Sequence, residues 1–202
     1  MGILQYVLKK FKANKKIIYI VSGLPRSGTS MMMKMLENGG LEPFIDNIRV
    51  PDEDNPKGYY ELERVKQLGK DNSWMHEAQG KVVKVISMLL FSLPPTYEYK
   101  VIFMQRNMEE VLASQAAMLL RKGKKNRDVS DEELSIEFAR HLKKVETWLK
   151  KQSTIKVLYV NYNELLKHPH ENSIKINNFM DHHLDNIKML EIIDPSLYRQ
   201  RR

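Results

Sequence analysis

The sequence predicts an α/β fold of three layers, in which a central, mainly parallel sheet lies between helices and carries a P-loop-like phosphate-binding loop. Three observations predict it. Short runs rich in Ile, Val and Tyr alternate with segments of helical periodicity, and these runs are almost continuously apolar, as parallel strands buried on both faces are. The first run leads into a loop bounded by glycines. The chain has 202 residues, 42% of them hydrophobic, which is enough for one domain over 1–202 with a sizeable core.

Strands and helices alternate along the chain. Runs of Ile, Val, Leu and Tyr indicate strands at 17–22, 82–86, 100–105 and 155–160. The spacing of apolar residues indicates helices at 3–12, 29–38, 108–121, 131–151, 171–180 and 183–192. Gly39 and Gly40 end the helix at 29–38, as glycines at a helix C-terminus commonly do. Parallel strands joined in this way require crossover connections, which are right-handed.

The stretch 46–76 is the part of the chain that least resembles a core. It is long and polar, and it contains DNIRVPDEDNPKGYYELE. Long loops between compact elements are uncommon unless they have a function. The sequence therefore predicts a substrate loop or lid here.

The net charge of +8 is concentrated in the N-terminal segment 1–16, at 121–127 and in the last residues. Such clusters attract polyanions, but without interleaved aromatic residues they do not favour nucleic acid as the partner. The basic segment 1–16 is compatible with peripheral contact at a membrane surface, and its apolar part is too short to span one. Cysteine is absent, which excludes disulfides and makes the cytoplasm the expected location.

The stretch IIYIVSGLPRSGTSMMMKML at 17–36 has the features of a phosphate cradle. Gly23 and Gly28 allow tight backbone turns, and Thr29 and Ser30 begin a helix whose N-terminus attracts anions. The spacing nearly matches the P-loop pattern GxxxxGK[ST], but Thr29 stands where that pattern has Lys. The nearest cation is Arg26, inside the loop.

Polar residues near the ends of the other predicted strands belong to the same edge of the sheet. In an open parallel sheet, ligands bind beyond the carboxyl ends of the strands. Lys84 lies in the second strand, Arg106 follows the third and Tyr162 follows the fourth. Each also has an ordinary explanation, because Lys84 can extend to solvent, Arg106 can pair with Glu109 or Glu110, and Tyr162 can be a core aromatic. Their shared position favours a site.

These residues resemble the motifs of the sulfotransferase superfamily, whose donor is 3′-phosphoadenosine 5′-phosphosulfate (PAPS). PRSGTS at 25–30 resembles the family's phosphate loop in its tyrosylprotein-type form. VIFMQRNMEEVLAS is similar to the second motif, which implies that Arg106 and Ser114 hold the donor's 3′-phosphate. KVVKVIS resembles the strand that carries an active-site lysine, here Lys84, and VLYVNYN resembles the strand whose Tyr lies near adenine, here Tyr162.

The chain also departs from the family pattern. Cytosolic members place a catalytic His two residues after the lysine, where this chain has Ile86, so the resemblance supplies no His base. Met31 replaces a tryptophan that often follows the phosphate loop, and no Arg-Lys-Gly segment occurs near the C-terminus. We conjecture that Arg199, Arg201 or Arg202 supplies the contact to the 3′-phosphate that this segment makes in the family.

The resemblance implies metal-independent transfer of a sulfuryl group from PAPS to an acceptor hydroxyl or amine of a small molecule, carbohydrate, lipid or peptide. By analogy with phosphoryl transfer, catalysis then consists of positioning and of stabilising charge at the leaving oxygen. The expected donor-binding residues are Arg26, Ser27, Gly28, Thr29, Ser30, Arg106, Ser114 and Tyr162. The expected catalytic residues are Arg26, Lys84 and Glu61, with no metal ligands among them.

A general base must accept the proton of the acceptor. Glu61 is the first choice, because Tyr59 and Tyr60 precede it and can shield its carboxylate from water. Its ordinary alternative is a carboxylate at a helix start. The other candidates are Asp46, Asp52, Asp54 and His76. The remaining histidines show no metal-ligand spacing and are interpreted as surface or packing residues.

Two other functional classes stay open at this stage. A P-loop kinase or NTPase would have Lys after Gly28 and an Asp that holds magnesium, and the sequence shows neither pattern. A catalytically inactive nucleotide-binding module is compatible with Ile86 and with the unassigned base. The presence of Arg26 and Lys84 weighs against such a module.

Overall fold

The computed structural model describes residues 17–46, 48, 58–121, 123, 129–181 and 184–193. The predicted helix at 3–12, the basic segment 1–16 and the C-terminal arginines lie outside the described residues. Within them, one sheet is formed by β1 (Ile17–Gly23), β2 (Val82–Lys84), β3 (Glu98–Gln105) and β4 (Ile155–Asn161). The strand order is β2-β1-β3-β4 and every pairing is parallel. Helices flank this sheet, so the predicted three-layer α/β fold is confirmed.

The strand register aligns the carboxyl ends of the four strands. Val21 of β1 is opposite Lys84, and Gly23 is opposite Met104 of β3. Gln105 is in turn opposite Asn161 at the end of β4. The phosphate loop and the segments that follow β3 and β4 therefore start from one edge of the sheet.

Beyond β2, the chain makes one further pairing that the sequence did not indicate. Pro43 forms a parallel bridge with Val82, and the Phe44 amide donates to the Val82 carbonyl at 2.8 Å. The Val82 amide donates to the Glu42 carbonyl at 3.0 Å. This short pairing satisfies the backbone of β2 on its outer side.

Six α-helices follow in the described residues: α1 (Thr29–Asn38), α2 (Met108–Arg121), α3 (Asp131–Leu149), α4 (Tyr162–Lys167), α5 (Pro169–Phe179) and α6 (Asn186–Leu190). Short 3₁₀ helices occupy Glu63–Gln67, Ser73–Ala78 and Ser87–Ser92. The sequence did not predict α4, which is too short to show a periodic pattern. Asn161 caps α4 by accepting a hydrogen bond from the Glu164 amide at 3.0 Å.

The core has one layer on each face of the sheet. Alternate residues of β1 point to opposite faces: Tyr19 and Val21 pack with α1, while Ile18 and Ile20 pack with the 3₁₀ helices and α3. Met32, Met33 and Met35 of α1 are fully buried against the sheet. Burial of each such side chain contributes about 1.5–3 kcal/mol.

The predicted substrate loop or lid at 46–76 is not uniform. Residues 47 and 49–57 lie outside the described residues. The second half is part of the core, because Leu62, Val65, Leu68, Trp74 and Met75 are buried in the layer that contains Ile18 and Ile20. The expectation that all of 46–76 is unlike a core is therefore wrong for 62–76. Charged residues between the apolar ones of the 3₁₀ helices hide this packing in the sequence.

Acidification is expected to destabilise the fold through His141 of α3. Its Nε2 lies 2.9 Å from the Ser87 hydroxyl, and burial together with the charge of Lys144 lowers the pKa of His141. The unfolded chain therefore binds this proton more readily, so native stability should fall as the pH drops through about 6.5. His141→Gln removes the titration but keeps a hydrogen-bonding group. Urea unfolding between about pH 7.5 and 5.5 should show a smaller loss of unfolding free energy in the variant than in the native protein. An equal loss in the two proteins would contradict this prediction.

Candidate active site

The loop between β1 and α1 has the backbone geometry of an anion cradle. Three of its residues have positive φ: Gly23 at 147°, Arg26 at 72° and Gly28 at 94°. The loop is closed on itself, since both the amide and the hydroxyl of Ser27 donate to the Leu24 carbonyl, at 3.2 and 2.7 Å. Gly28 occupies the N-cap of α1 and has no side chain to cap the helix. The N-terminal amides of α1 therefore receive no hydrogen bond acceptor from the N-cap side chain.

Gly28 is required by close approach as well as by its backbone angle. A Cβ atom at Gly28 would lie 2.4 Å from Cδ2 of Tyr162, and one at Gly23 would lie 2.6 Å from the Met104 carbonyl oxygen. The Tyr162 ring thus packs directly on the backbone of the phosphate loop. The contact joins the start of α4 to the start of α1.

One group of polar residues lies between the loop and the segments after β3 and β4. We call it the Arg106 cluster, and its members are Arg26, Arg106, Glu110, Ser114, Tyr162 and Asn163. The Arg106 Nη1 donates to the Arg26 carbonyl at 3.0 Å, and the Arg26 Nε donates to the Ser114 hydroxyl at 2.9 Å. The Arg106 guanidinium carbon lies 4.6 Å from the centroid of the Tyr162 ring. The structure therefore brings together four of the predicted donor-binding residues.

Glu110 is the buried anion of the Arg106 cluster. Its carboxylate is fully buried, accepts from the Arg106 Nε at 2.8 Å and accepts from the Asn163 Nδ2 at 2.9 Å. Arg106 therefore pairs with Glu110, as its ordinary explanation requires, and it also lies beside the loop. The Arg106 guanidinium has a defined direction, because Glu110 accepts from its Nε and the Arg26 carbonyl accepts from its Nη1.

Glu110 and Asn163 are the members of this cluster that the sequence reasoning did not place in the site. The signal for Glu110 was available, since it lies four residues after Arg106 at the start of a predicted helix. Asn163 had no such signal. Burial raises the pKa of Tyr162, and the neighbouring positive charge of Arg106 opposes this shift.

A second polar group, the Lys84 cluster, consists of Ser30, Tyr59, Glu61 and Lys84. The buried Lys84 ammonium donates to the Tyr59 carbonyl and, at 3.3 Å, to the Ser30 hydroxyl. The Ser30 hydroxyl also donates to the Tyr59 carbonyl, at 3.3 Å. The Glu61 Oε1 is 3.7 Å from the Lys84 Nζ, and the Glu61 side chain is 31% exposed. The cluster therefore presents a cation and a partly accessible carboxylate side by side.

The two clusters lie on either side of β1. Lys84 belongs to β2 and Arg106 follows β3, and these strands flank β1 on opposite sides. Arg26 contacts the Arg106 cluster through Ser114. The sequence predicted Arg26 to be a catalytic residue together with Lys84 and also a donor-binding residue. In the structure the Arg26 Nε donates to Ser114, a predicted 3′-phosphate residue, and the catalytic role of Arg26 stays a prediction.

The other base candidates have structural partners elsewhere. The Asp46 carboxylate accepts from the Ile48 amide at 3.1 Å and from the Glu63 amide at 2.6 Å, so it caps the 3₁₀ helix at Glu63–Gln67. The His76 Nδ1 lies 2.5 Å from the Ser73 carbonyl within its own turn. Asp52 and Asp54 lie outside the described residues. Glu61 is thus the candidate that contacts Lys84 in the part of the chain that the structure describes.

A parallel α/β sheet with a glycine-bounded loop at a helix N-terminus is typical of proteins that bind a phosphate group at that loop. Comparison with known families makes this class specific. The family model described as a sulfotransferase domain matches residues 16–201, and the chain belongs to the sulfotransferase family. No curated protein sequence matches the chain significantly.

Solved sulfotransferase structures share the fold. The sulfotransferase STF1 from Mycobacterium tuberculosis has a TM-score of 0.58 at 18% identity, and the match covers 94% of this chain and 74% of that one. The sulfotransferase domain from the curacin biosynthetic pathway has a TM-score of 0.55 at 12% identity over 89% and 78%. Retinol dehydratase in complex with androsterone and the inactive cofactor PAP has a TM-score of 0.52 at 17% identity over 89% and 63%.

Two further features are absent from the described ranges between 17 and 193. No helix there is long and apolar enough to cross a membrane. No group of three His, Asp or Glu side chains there is placed to hold a metal ion. The cytoplasmic location and the metal independence stay predictions.

Substitution of Gly28 by Ala should destabilise the protein more than the same change at Gly40. Both glycines have a left-handed φ, 94° and 103°, but a Cβ at Gly28 would meet the Tyr162 ring while one at Gly40 would meet nothing within 4 Å. Both variants carry the backbone cost of about 1–2 kcal/mol, and Gly28→Ala carries about 1 kcal/mol or more of overlap in addition. Urea unfolding measures the difference, and equal costs would show that Tyr162 does not restrict this position.

Proposed function

We propose that this chain transfers a sulfuryl group from PAPS to an acceptor hydroxyl or amine without a metal. The observation that carries the proposal is that the Arg106 cluster and the Lys84 cluster both lie beside one phosphate cradle. PAPS has phosphate at the 5′ and the 3′ position, so a protein that binds it requires two anion sites, and we assign these to the cradle and to the Arg106 cluster. Membership of the sulfotransferase family supports the proposal, and so does the description of PAP as the inactive cofactor of the similar retinol dehydratase.

The cradle fits a phosphate group. The close contact of Gly28 with Tyr162 leaves this position without a side chain, and the N-terminus of α1 carries a partial positive charge. In this proposal, the amides of Arg26, Gly28, Thr29 and Ser30 hold the 5′-phosphate. The Ser27 amide, which the sequence also predicted to bind the donor, donates to the Leu24 carbonyl instead and closes the loop. Arg106, Ser114 and Arg26 hold the 3′-phosphate, and Tyr162 lies near the adenine.

The Lys84 cluster has the groups that sulfuryl transfer requires. The donor supplies a sulfuryl group attached to a phosphate leaving group. The Lys84 ammonium and the Ser30 hydroxyl are donors fixed at the end of β2 and the start of α1, where they can stabilise negative charge on a leaving oxygen. Because the side chain of Lys84 is only 6% exposed, its charge is poorly screened by water.

Glu61 is our proposal for the general base. It lies beside Lys84, and its carboxylate is accessible enough to contact an acceptor. A base must be within hydrogen-bond reach of the proton it accepts, and this position satisfies that condition for an acceptor bound next to Lys84. The acceptor class stays open between small molecules, carbohydrates, lipids and peptides.

Calorimetric binding of adenosine 3′,5′-bisphosphate (PAP), ADP and ATP, with and without magnesium, tests the proposal directly. We expect tight binding of PAP that does not depend on magnesium and that exceeds binding of ADP. Preference for ATP with magnesium would indicate a kinase or NTPase. Binding of PAP without any transfer from PAPS in an acceptor screen would indicate an inactive nucleotide-binding module.

Ser114→Ala should lower the affinity for PAP about tenfold and leave ADP within about twofold, because one hydrogen bond to the 3′-phosphate is lost. Ser114 is a safer test than Arg106, whose removal would take the guanidinium away from the buried Glu110 carboxylate. Ser173→Ala is the matched control, since Ser173 is also buried and donates to the His170 carbonyl on α5. Equal loss for PAP and ADP would contradict the assignment of Ser114.

Lys84→Met should reduce turnover about 10²–10³-fold while the dissociation constant of PAP changes less than about threefold. Lys100→Met is the matched control, because Lys100 is a buried lysine on β3 that binds the Phe179 carbonyl and Asp181 instead. The measurement is release of PAP from PAPS with p-nitrophenol or water as the acceptor. Turnover within a few-fold of the native protein would remove Lys84 from the catalytic residues.

A further inference from the structure

The segment 59–61 contacts α1 at two separate points. The first lies in the Lys84 cluster, where the Tyr59 carbonyl accepts from the Lys84 ammonium and from the Ser30 hydroxyl. The second lies two turns further along α1, where the Tyr60 hydroxyl donates to the Glu37 carboxylate. One helix thus holds both the backbone and a side chain of this short segment.

The second contact is built from buried and charged groups. Tyr60 is 8% exposed, and the Lys34 Nζ lies 3.1 Å from the Glu37 Oε2 and 5.9 Å from the centroid of the Tyr60 ring. Burial and the hydrogen bond to Glu37 raise the pKa of Tyr60 to about 12. Lys34 stabilises the carboxylate that accepts this hydrogen bond.

The backbone of Tyr60 indicates that its side chain has a specific role. Its φ is 53°, in the left-handed region that costs a non-glycine residue about 1–2 kcal/mol. Glycine would adopt this angle without that cost. The residue present is instead a tyrosine whose hydroxyl and ring are both bound by α1, and these contacts offset the backbone cost.

We propose that Tyr60 and Glu37 form a clamp that positions the Tyr59 carbonyl and the Glu61 carboxylate at Lys84. The left-handed turn at Tyr60 separates two residues that both face Lys84, and the clamp fixes that turn against α1. Tyr60 and Glu37 are positioning residues in this inference, because their own contacts lie outside the Lys84 cluster. Their role in the reaction rests on the proposed function.

Amide hydrogen exchange of residues 58–62, followed by mass spectrometry, tests the clamp without any ligand. Tyr60→Phe removes one hydroxyl, and Glu37→Leu removes its acceptor. Both should increase exchange in 58–62 about tenfold, whereas Glu37→Gln retains an acceptor oxygen and should restore slow exchange. Tyr99→Phe is the matched control, because Tyr99 is a buried tyrosine whose hydroxyl donates to the Pro94 carbonyl at 2.8 Å.

Turnover and donor affinity test the role of the clamp in the reaction. In Tyr60→Phe, we expect release of PAP from PAPS to fall about tenfold while calorimetry gives an unchanged dissociation constant for PAP. Glu37→Gln should be close to the native protein, and the double variant Tyr60→Phe, Glu37→Leu should lose no more than either single variant.

Several results would overturn the clamp. Unchanged exchange in Tyr60→Phe would show that the hydroxyl does not hold the segment. Faster exchange with native turnover would show that the segment does not position catalytic groups, and equal losses in PAP affinity and turnover would place the effect on the donor site. A native protein that does not bind PAP would overturn the proposed function, and the exchange result would still decide whether the clamp holds 58–62.

Discussion

The contact between Gly28 and the Tyr162 ring is the constraint on which the site depends. It brings the N-terminus of α1 against the residue that follows β4, at a distance that excludes even a methyl group on Gly28. The same ring also contacts the Arg106 guanidinium, which in turn donates to the Arg26 carbonyl. The phosphate loop, the end of β3 and the end of β4 are therefore tied together through one aromatic ring, and the loop cannot shift without disturbing all three.

This arrangement places several positive groups beside one helix N-terminus, and Glu110 offsets part of that charge. A buried carboxylate that binds Arg106 and Asn163 reduces the repulsion between Arg106 and Arg26 in the absence of an anion. It also restricts the guanidinium to one direction, so that less side-chain entropy is lost when an anion binds. The cost is that Arg106 and Glu110 stabilise the fold only as a pair, because either one alone would leave a buried charge without its partner.

The parts of the fold and site that the sequence predicted are those with a local signal. Gly23 and Gly28 are visible because special backbone angles select glycine, and Lys84 and Arg106 are visible because they lie near the ends of apolar strands. The pairing of Pro43 with Val82 depends on residues that are distant in sequence, so no local pattern indicates it. The same holds for the contact between Tyr60 and Glu37. The buried residues at 62–76 were missed because the 3₁₀ helices expose charged residues in alternation with apolar ones.

The packing of α1 connects the Lys84 cluster to the contact between Tyr60 and Glu37. Met32, Met33 and Met35 bury one side of the helix against the sheet. This packing fixes the positions of Ser30 and Glu37 relative to β2. Ser30 lies at the first turn beside Lys84, and Glu37 lies two turns later beneath Tyr60. Because an α-helix transmits displacement along its axis with little deformation, a shift of α1 moves both contacts together. The geometry around Lys84 is therefore set by core packing as much as by the polar residues themselves, and methionine side chains, which adapt their shape readily, are the groups that set it.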